Sequence, residues 1–176
     1  EMYCKNHGFI DENKKLTKQL SYVRLIDFLT NNPQKTDLVR PYFFDAIKSP
    51  PEGARILFIE KLRDIGVNVD TKLLRTGHRY CPKCKSSPIV EYQKGVDVSL
   101  ATHVMHLAFE DAYDVCIIVS GDADYCTAIE YIKRKGKRVW VACFKDSLSK
   151  ELRQTADKTI YLDDHFDTLV MRNENV

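Results

Sequence analysis

The stretch Val115-Cys116-Ile117-Ile118-Val119-Ser120-Gly121-Asp122-Ala123-Asp124 decides how this chain is read. Its first five residues are apolar without a break. A half-buried strand alternates in polarity, whereas an unbroken β-branched run is what a parallel strand covered on both faces shows. The flanks keep the rhythm of such a sheet. A helix over about 125–135 stops at Gly136, and Val139 to Phe144 is a second continuous apolar strand. A short helix over 149–156 and a last strand from Thr159 to Leu162 follow. Strand, helix, strand, helix with right-handed crossovers specifies an α/β fold with a mostly parallel sheet.

Upstream the pattern continues. Leu16, Leu20, Val23, Ile26 and Leu29 set a helix over 13–31, which Asn31-Asn32-Pro33 ends. Leu38 to Phe44 reads as a strand. Pro50-Pro51 opens a helix over 52–64 with Ile56, Ile59 and Leu62 inward, and Gly66 stops it. Val67 to Leu74 reads as a strand, residues 75–93 as a hairpin, and residues 96–110 as a helix. The length of 176 residues suits one domain over 1–176, with 75–93 as a small insert. Hydrophobic residues make up 44% and charged residues 30%, enough apolar surface for a core. No apolar run approaches the roughly 20 residues of a membrane helix, and nothing at the start reads as a signal peptide, so no membrane partner is expected. The chain opens at Glu1, which leaves room for upstream residues.

The chemistry gathers where the central strand ends. Ligands of open α/β sheets bind beyond the carboxyl ends of strands, and Gly121 permits a tight turn there. Asp122 and Asp124 are two apart, so both can face one concavity. Two carboxylates about 4 Å apart repel by roughly 4 kcal/mol at an effective dielectric near 20. A Mg²⁺ or Mn²⁺ ion, a basic partner or a shared proton relieves that repulsion. The plainer reading is that one of them caps the following helix. Asp97 stands at the start of its helix on the face of Ala101, Val104 and Ala108, where a carboxylate is costly unless paired, metal-bound or near enough the end to reach water.

These residues carry a family resemblance. Lys94-Gly95-Val96-Asp97-Val98, Ala112-Tyr113-Asp114 and Ser120-Gly121-Asp122-Ala123-Asp124-Tyr125 resemble the NYN domains, a branch of the PIN-like nucleases. Lys135-Gly136-Lys137-Arg138-Val139, Ser149-Lys150-Glu151-Leu152 and Ala156-Asp157 continue the likeness in order, and Tyr42-Phe43-Phe44-Asp45-Ala46 resembles the aromatic strand that precedes them. The match covers roughly residues 38–164. The resemblance implies a PIN-like three-layer α/β/α fold and metal-dependent cleavage of RNA, single-stranded or structured. It maps metal-binding carboxylates onto Asp97, Asp122 and Asp124, with Ser120 supporting them by hydrogen bonding.

The front departs from the family pattern of an apolar strand ending in Asp with Asn three residues on. The nearest counterpart is Phe9-Ile10-Asp11-Glu12-Asn13, one residue short. Either Asp11 is a fourth carboxylate in a shortened element, or the first strand lies before Glu1. The second case favours a different function, a catalytically incomplete NYN-fold module that binds RNA or protein. A phosphatase-like hydrolase wants its Asp directly after the first strand, and none is well placed.

Lys plus Arg number 27 against 25 Asp plus Glu, so the formal charge of +2 excludes little. The distribution says more. Lys94 lies beside Asp97, and Lys133, Arg134, Lys135, Lys137 and Arg138 fall within six positions. These are candidates to hold an RNA backbone, although the second group equally suits a helix end complementing its dipole. Of the six cysteines, Cys116 and Cys143 sit in apolar runs and point to a reducing, cytoplasmic setting. Cys81 and Cys84 have the spacing of a zinc knuckle, with His78 as a third ligand and Cys4 and His7 as a second pair. A redox pair or a remnant knuckle are the alternatives. His103 and His106 read as residues at a core edge. A homo-oligomer or a protein partner is left open.

Overall fold

The computed structural model describes residues 19–31, 36–80, 82–83 and 85–171. In chain order they form α1 (Tyr22–Asn31), β1 (Tyr42–Ile47), α2 (Gly53–Asp64), β2 (Asn68–Leu73), β3 (Arg75–His78), β4 (Ile89–Tyr92) and α3 (Val96–Phe109). Then come β5 (Val115–Ile118), α4 (Cys126–Arg134), β6 (Arg138–Cys143), α5 (Lys150–Thr155), β7 (Lys158–Tyr161) and α6 (Phe166–Leu169). Residues 40–104 form one compact unit, and the described residues on either side of them form a second.

In the first unit β1 and β2 pair in parallel, with Tyr42 opposite Asn68 and Phe44 opposite Asp70. Helix α2 is the crossover between them. Phe43 meets Phe58 of α2 edge-on, with ring centroids 5.7 Å apart, and Asp45 pairs with Arg55 of α2. Odd-numbered residues of β1 therefore face α2. Tyr42 and Phe44 face the other way, toward His103 of α3, at 4.4 and 5.6 Å between ring centroids. β1 begins later than the expected Leu38. Pro41 has no N–H for a ladder; its carbonyl accepts from Asn68 at 2.9 Å, and regular pairing starts at Tyr42. β3 and β4 form the expected antiparallel hairpin, Arg75 opposite Tyr92.

In the second unit β5, β6 and β7 make a parallel sheet in that order. Ile118 lies opposite Val141, and Cys143 opposite Tyr161. The unbroken apolar character of β6 follows from cover on both faces. Trp140, Ala142 and Ile160 pack with Leu25 and Leu29 of α1. Val139, Val141 and Cys143 point oppositely, where α4 packs on β6 and α5 on α4, with Ile129, Ile132 and Leu152 fully buried. Gly136 takes φ +78°, the left-handed turn that ends α4 and is open to glycine without strain.

The sequence reading stopped at the strand now seen as β7. The chain continues through Leu162–His165 into α6, whose Phe166 and Leu169 are buried. It then returns to the start of α1. Ser21 donates its N–H to Leu169 at 2.8 Å, Met171 to Gln19 at 2.7 Å, and the Arg24 guanidinium to the Val170 carbonyl at 2.7 Å.

Candidate functional site

β5 delivers the chain into the acidic turn. Asp122 keeps extended backbone (φ −81°, ψ 132°) and caps the 3₁₀ turn Ala123–Tyr125, its Oδ1 accepting the Asp124 N–H at 3.0 Å. Ser120 Oγ accepts the Asp122 N–H at 3.2 Å. The capping role expected of one of these residues thus falls to Asp122. A carboxylate accepts at two oxygens, so one can cap while the other turns to a ligand. Asp122 and Asp124 are both exposed.

The turn is fixed from behind by the loop after β6. A Cβ on Gly121 would lie 2.0 Å from the Ser147 carbonyl oxygen, and Ser149 donates its N–H to the Gly121 carbonyl at 2.9 Å. That loop is in turn tied to the end of β7. Asp163 Oδ2 accepts the Lys145 N–H at 2.8 Å, and Lys145 Nζ reaches Asp164 Oδ1 at 2.6 Å. The hydrogen bond to Asp164 raises the Lys145 pKa above its ordinary value. Sequence reasoning did not single out Lys145, Ser147, Asp163 or Asp164. The signal was present, since each follows the carboxyl end of a parallel strand as Asp122 does.

Asp97 lies in the first turn of α3, in the other unit, and is exposed. It has reached water at the helix start rather than staying on the apolar stripe, where Val104 and Ala108 are buried. Lys94 is exposed just before it. Among the described residues no three His, Cys, Asp or Glu side chains gather tightly enough to enclose a metal. Mg²⁺ seldom needs such a cage. It takes one or two carboxylates and fills its sphere with water and phosphate oxygens, and the hard oxygens of Asp122 and Asp124 suit that demand. Asp11, Cys4, His7, Cys81 and Cys84 lie outside the described residues. His78 ends β3, and its Nδ1 sits 3.0 Å from the Ser87 carbonyl, to which it must donate. In the neutral ring this leaves the lone pair on Nε2, the tautomer a metal ligand needs.

The basic run is placed at the other end of the second unit's sheet. Strand β6 carries six residues from it toward the acidic end, a rise of roughly 20 Å. Lys133 Nζ bonds the Thr155 carbonyl at 2.9 Å and Asp157 Oδ1 at 3.0 Å, and Asp157 Oδ2 accepts the Val139 N–H at 2.8 Å. Burial pushes the Asp157 carboxyl up, but the Val139 N–H and Lys133 outweigh it, and the net shift is downward. Lys137 pairs with Asp111 and lies 3.5 Å from Asp114, while Arg134 sits 5.3 Å over the Tyr131 ring. These contacts stitch helix ends to strands, and the structure does not bring them to the acidic turn.

A parallel α/β fold with acidic residues just beyond the carboxyl end of a strand, here β5 beside β6, is the architecture of a PIN-like nuclease-type domain. This chain belongs to the NYN domain family, whose model matches residues 7–163. The family is generally one of nucleases, typically dependent on divalent metals, and its domains generally bind RNA. The chain is 25% identical over 147 residues to the low amplitude and bright protein LabA of Synechococcus elongatus, covering 80% of this chain and 71% of that protein. It also superposes with a TM-score of 0.63 on a crystal structure of VPA0982, a Vibrio parahaemolyticus protein of unknown function. That match is 20% identical and covers 97% of this chain and 88% of the other, a likeness of fold. Among the described residues no helix is long and apolar enough to cross a membrane.

Proposed function

We propose that this protein is a ribonuclease that uses a carboxylate-bound Mg²⁺ or Mn²⁺ ion to cut RNA phosphodiester bonds. One observation carries the reading. Two exposed carboxylates, Asp122 and Asp124, share a hydrogen-bonded turn at the carboxyl end of β5, where a phosphodiester has open access. Asp97 would be the third ligand, supplied from α3, and Asp11 a fourth. When bound, such an ion supplies a Lewis acid and a water of lowered pKa. The chain's own contribution is placement. Ser120 fixes the Asp122 backbone, the Ser147–Ser149 loop prevents Gly121 from shifting, and Lys94 would neutralise a backbone phosphate. The basic residues 133–138 would serve as outer contacts beyond their structural bonds.

A second reading is a binding module without catalysis. It is favoured by the engagement of Asp122 Oδ1 in capping and by the absence of a three-carboxylate group among the described residues. Incubating the chain with single-stranded RNA and Mn²⁺, with and without chelator, separates the two. The ribonuclease reading expects chelator-sensitive fragments, and intact RNA at high enzyme excess would support the module. The described cysteines Cys116, Cys126 and Cys143 are free thiols, which suits a reducing, cytoplasmic compartment. Cys81, Cys84 and His78 would hold a structural zinc. Metal analysis of protein purified without chelator tests that, and a zinc-free preparation counts against it.

A further inference from the structure

The β1–β2 pair carries a cavity of about 330 Å³ on the face turned away from α2, lined by Arg40, Tyr42, Phe44, Asn68, Asp70 and His103. That volume is at the small end of ligand pockets, roughly 300–1,000 Å³. We infer that this cavity binds one unpaired nucleobase of an RNA strand and prefers guanine. The inference rests on the reading of the chain as an RNA-handling protein, and it adds a second site to the acidic turn.

The register builds the site. Residues opposite each other in a parallel pair point to the same face. Tyr42 opposite Asn68 and Phe44 opposite Asp70 therefore set an aromatic column beside a polar one, about 4.8 Å away. The Tyr42 and Phe44 rings are near-parallel, centroids 6.4 Å apart and planes 25° apart, with the His103 ring tilted against both. Aromatic rings accept any base by stacking, and here a base would take the place of His103. Selectivity then falls to the polar column. A carboxylate accepts two N–H donors at once, and guanine alone among the RNA bases offers a ring N–H and an amino group side by side on its pairing edge. Lys72 Nζ lies 3.5 Å from Asp70 Oδ1, beside the polar column. Arg40 at the rim is exposed and suits the phosphate that accompanies the base.

His103 gives an independent indication. Its Nε2 is shut off from water and has no hydrogen-bond partner among the described residues. An orphaned buried nitrogen is a standing cost. A ligand that parts the Tyr42–His103 contact gives this nitrogen a partner or returns it to solvent.

The test uses the whole chain in chelator, so that no strand is cut, with fluorescein-labelled RNA decamers read by anisotropy. One decamer is all uridine and the other carries a single central guanine. The guanine decamer should bind at least about fivefold tighter. Tyr42→Leu should weaken both by about tenfold, the low end of what loss of a stacking partner costs. Asp70→Asn should erase the preference for guanine while leaving the uridine decamer within twofold, and this nearly isosteric change serves if Tyr42→Leu does not fold. Equal binding of the two decamers, a folded Tyr42→Leu chain that binds as the wild type does, or a preference that survives Asp70→Asn would each overturn the inference. Cleavage in Mn²⁺ with no effect of these variants removes this site and leaves the ribonuclease reading. Variant-sensitive binding by a chain that never cleaves does the reverse.

Discussion

Gly121 and Ser147 approach so closely that a side chain on the first would enter the backbone of the second. A Cβ at Gly121 would sit 2.0 Å from the Ser147 carbonyl oxygen, which is backbone and cannot swing aside. The φ of Gly121 is not in the left-handed region, so the requirement here is space and not conformation. Gly121→Ala should therefore push the loop after β6 off the acidic turn. Forcing extra atoms into a packed site costs typically 1–3 kcal/mol, and urea unfolding should show a loss of about that size. Gly53→Ala is the control. Nothing lies within 4 Å of its Cβ, and alanine in a helix replaces the more flexible residue, so that variant should be unchanged or slightly more stable. Equal effects at both positions would remove the steric argument.

Asp122→Asn separates the two roles of one carboxylate. Asparagine caps as well as aspartate does, so the bond to the Asp124 N–H should survive and stability should move by less than about 0.5 kcal/mol. Metal-dependent RNA cleavage should fall below detection, because the hard anionic oxygen is gone. Asp122→Ala loses both roles and should also cost about 1 kcal/mol of stability. Circular dichroism melts and a gel assay on the same preparations check both halves. Full cleavage by the Asn variant would take Asp122 out of the chemistry.

What the sequence made legible follows from what each signal depends on. The apolar run of β6 is visible because cover on both faces removes every polar position, whereas β5, next to it, is half-buried over Val115–Ile117 and its run ends in an exposed Val119. Asp122 was legible because a strand end, a glycine and two acids coincide in six residues. Lys145 and Ser147 were not, because their importance comes from register. Lys145 reaches the end of β7 only once β6 and β7 pair, and Ser147 meets Gly121 only once β5 and β6 do. The structural partners of the basic run were hidden for the same reason. Lys133 and Lys137 are consecutive in charge but separate in partner, and the acids that neutralise them, Asp157 and Asp111, lie more than twenty residues away in the chain. The aromatic face of Tyr42 and Phe44 was visible as a strand and not as a cavity, since Asn68 and Asp70 join it only across the ladder.

Asp157 should give the fold an acid-sensitive edge. Its pKa is held below the ordinary 3.8 in the folded protein. A carboxyl lowered in this way contributes stability that is fully present above its unfolded value, and the contribution is lost as pH falls through the folded one. Stability measured by urea should thus hold from pH 7 to about 5 and then decline steeply below about pH 4. Asp157→Asn should flatten part of that decline, because Asn keeps an acceptor for the Val139 N–H and does not titrate. It should also cost about 1–2 kcal/mol at pH 7, as a charge-assisted bond to Lys133 is replaced by a neutral one. An unchanged acid limb in the variant would show that another carboxyl sets it.

The described thiols should differ sharply in reactivity, and the order can be argued from burial. Only the thiolate attacks an alkylating agent. Burial pushes the Cys116 thiol up to about 12, with the neighbouring Tyr113 hydroxyl offsetting little of it. Burial, aided by the negative charge of Asp163, pushes Cys143 to about 11. At pH 8 both hold only a trace of thiolate, and Cys143 is in addition closed off from reagent. Cys126, at the start of α4, is only half-buried, so a reagent can reach its sulfur. Iodoacetamide at pH 8, followed by peptide mass spectrometry, should label Cys126 well before Cys116 or Cys143 in the folded chain. In urea the three should label at comparable rates. Early labelling of Cys116 in the native protein would mean that β5 opens readily, which would contradict its place beside the buried centre of the sheet.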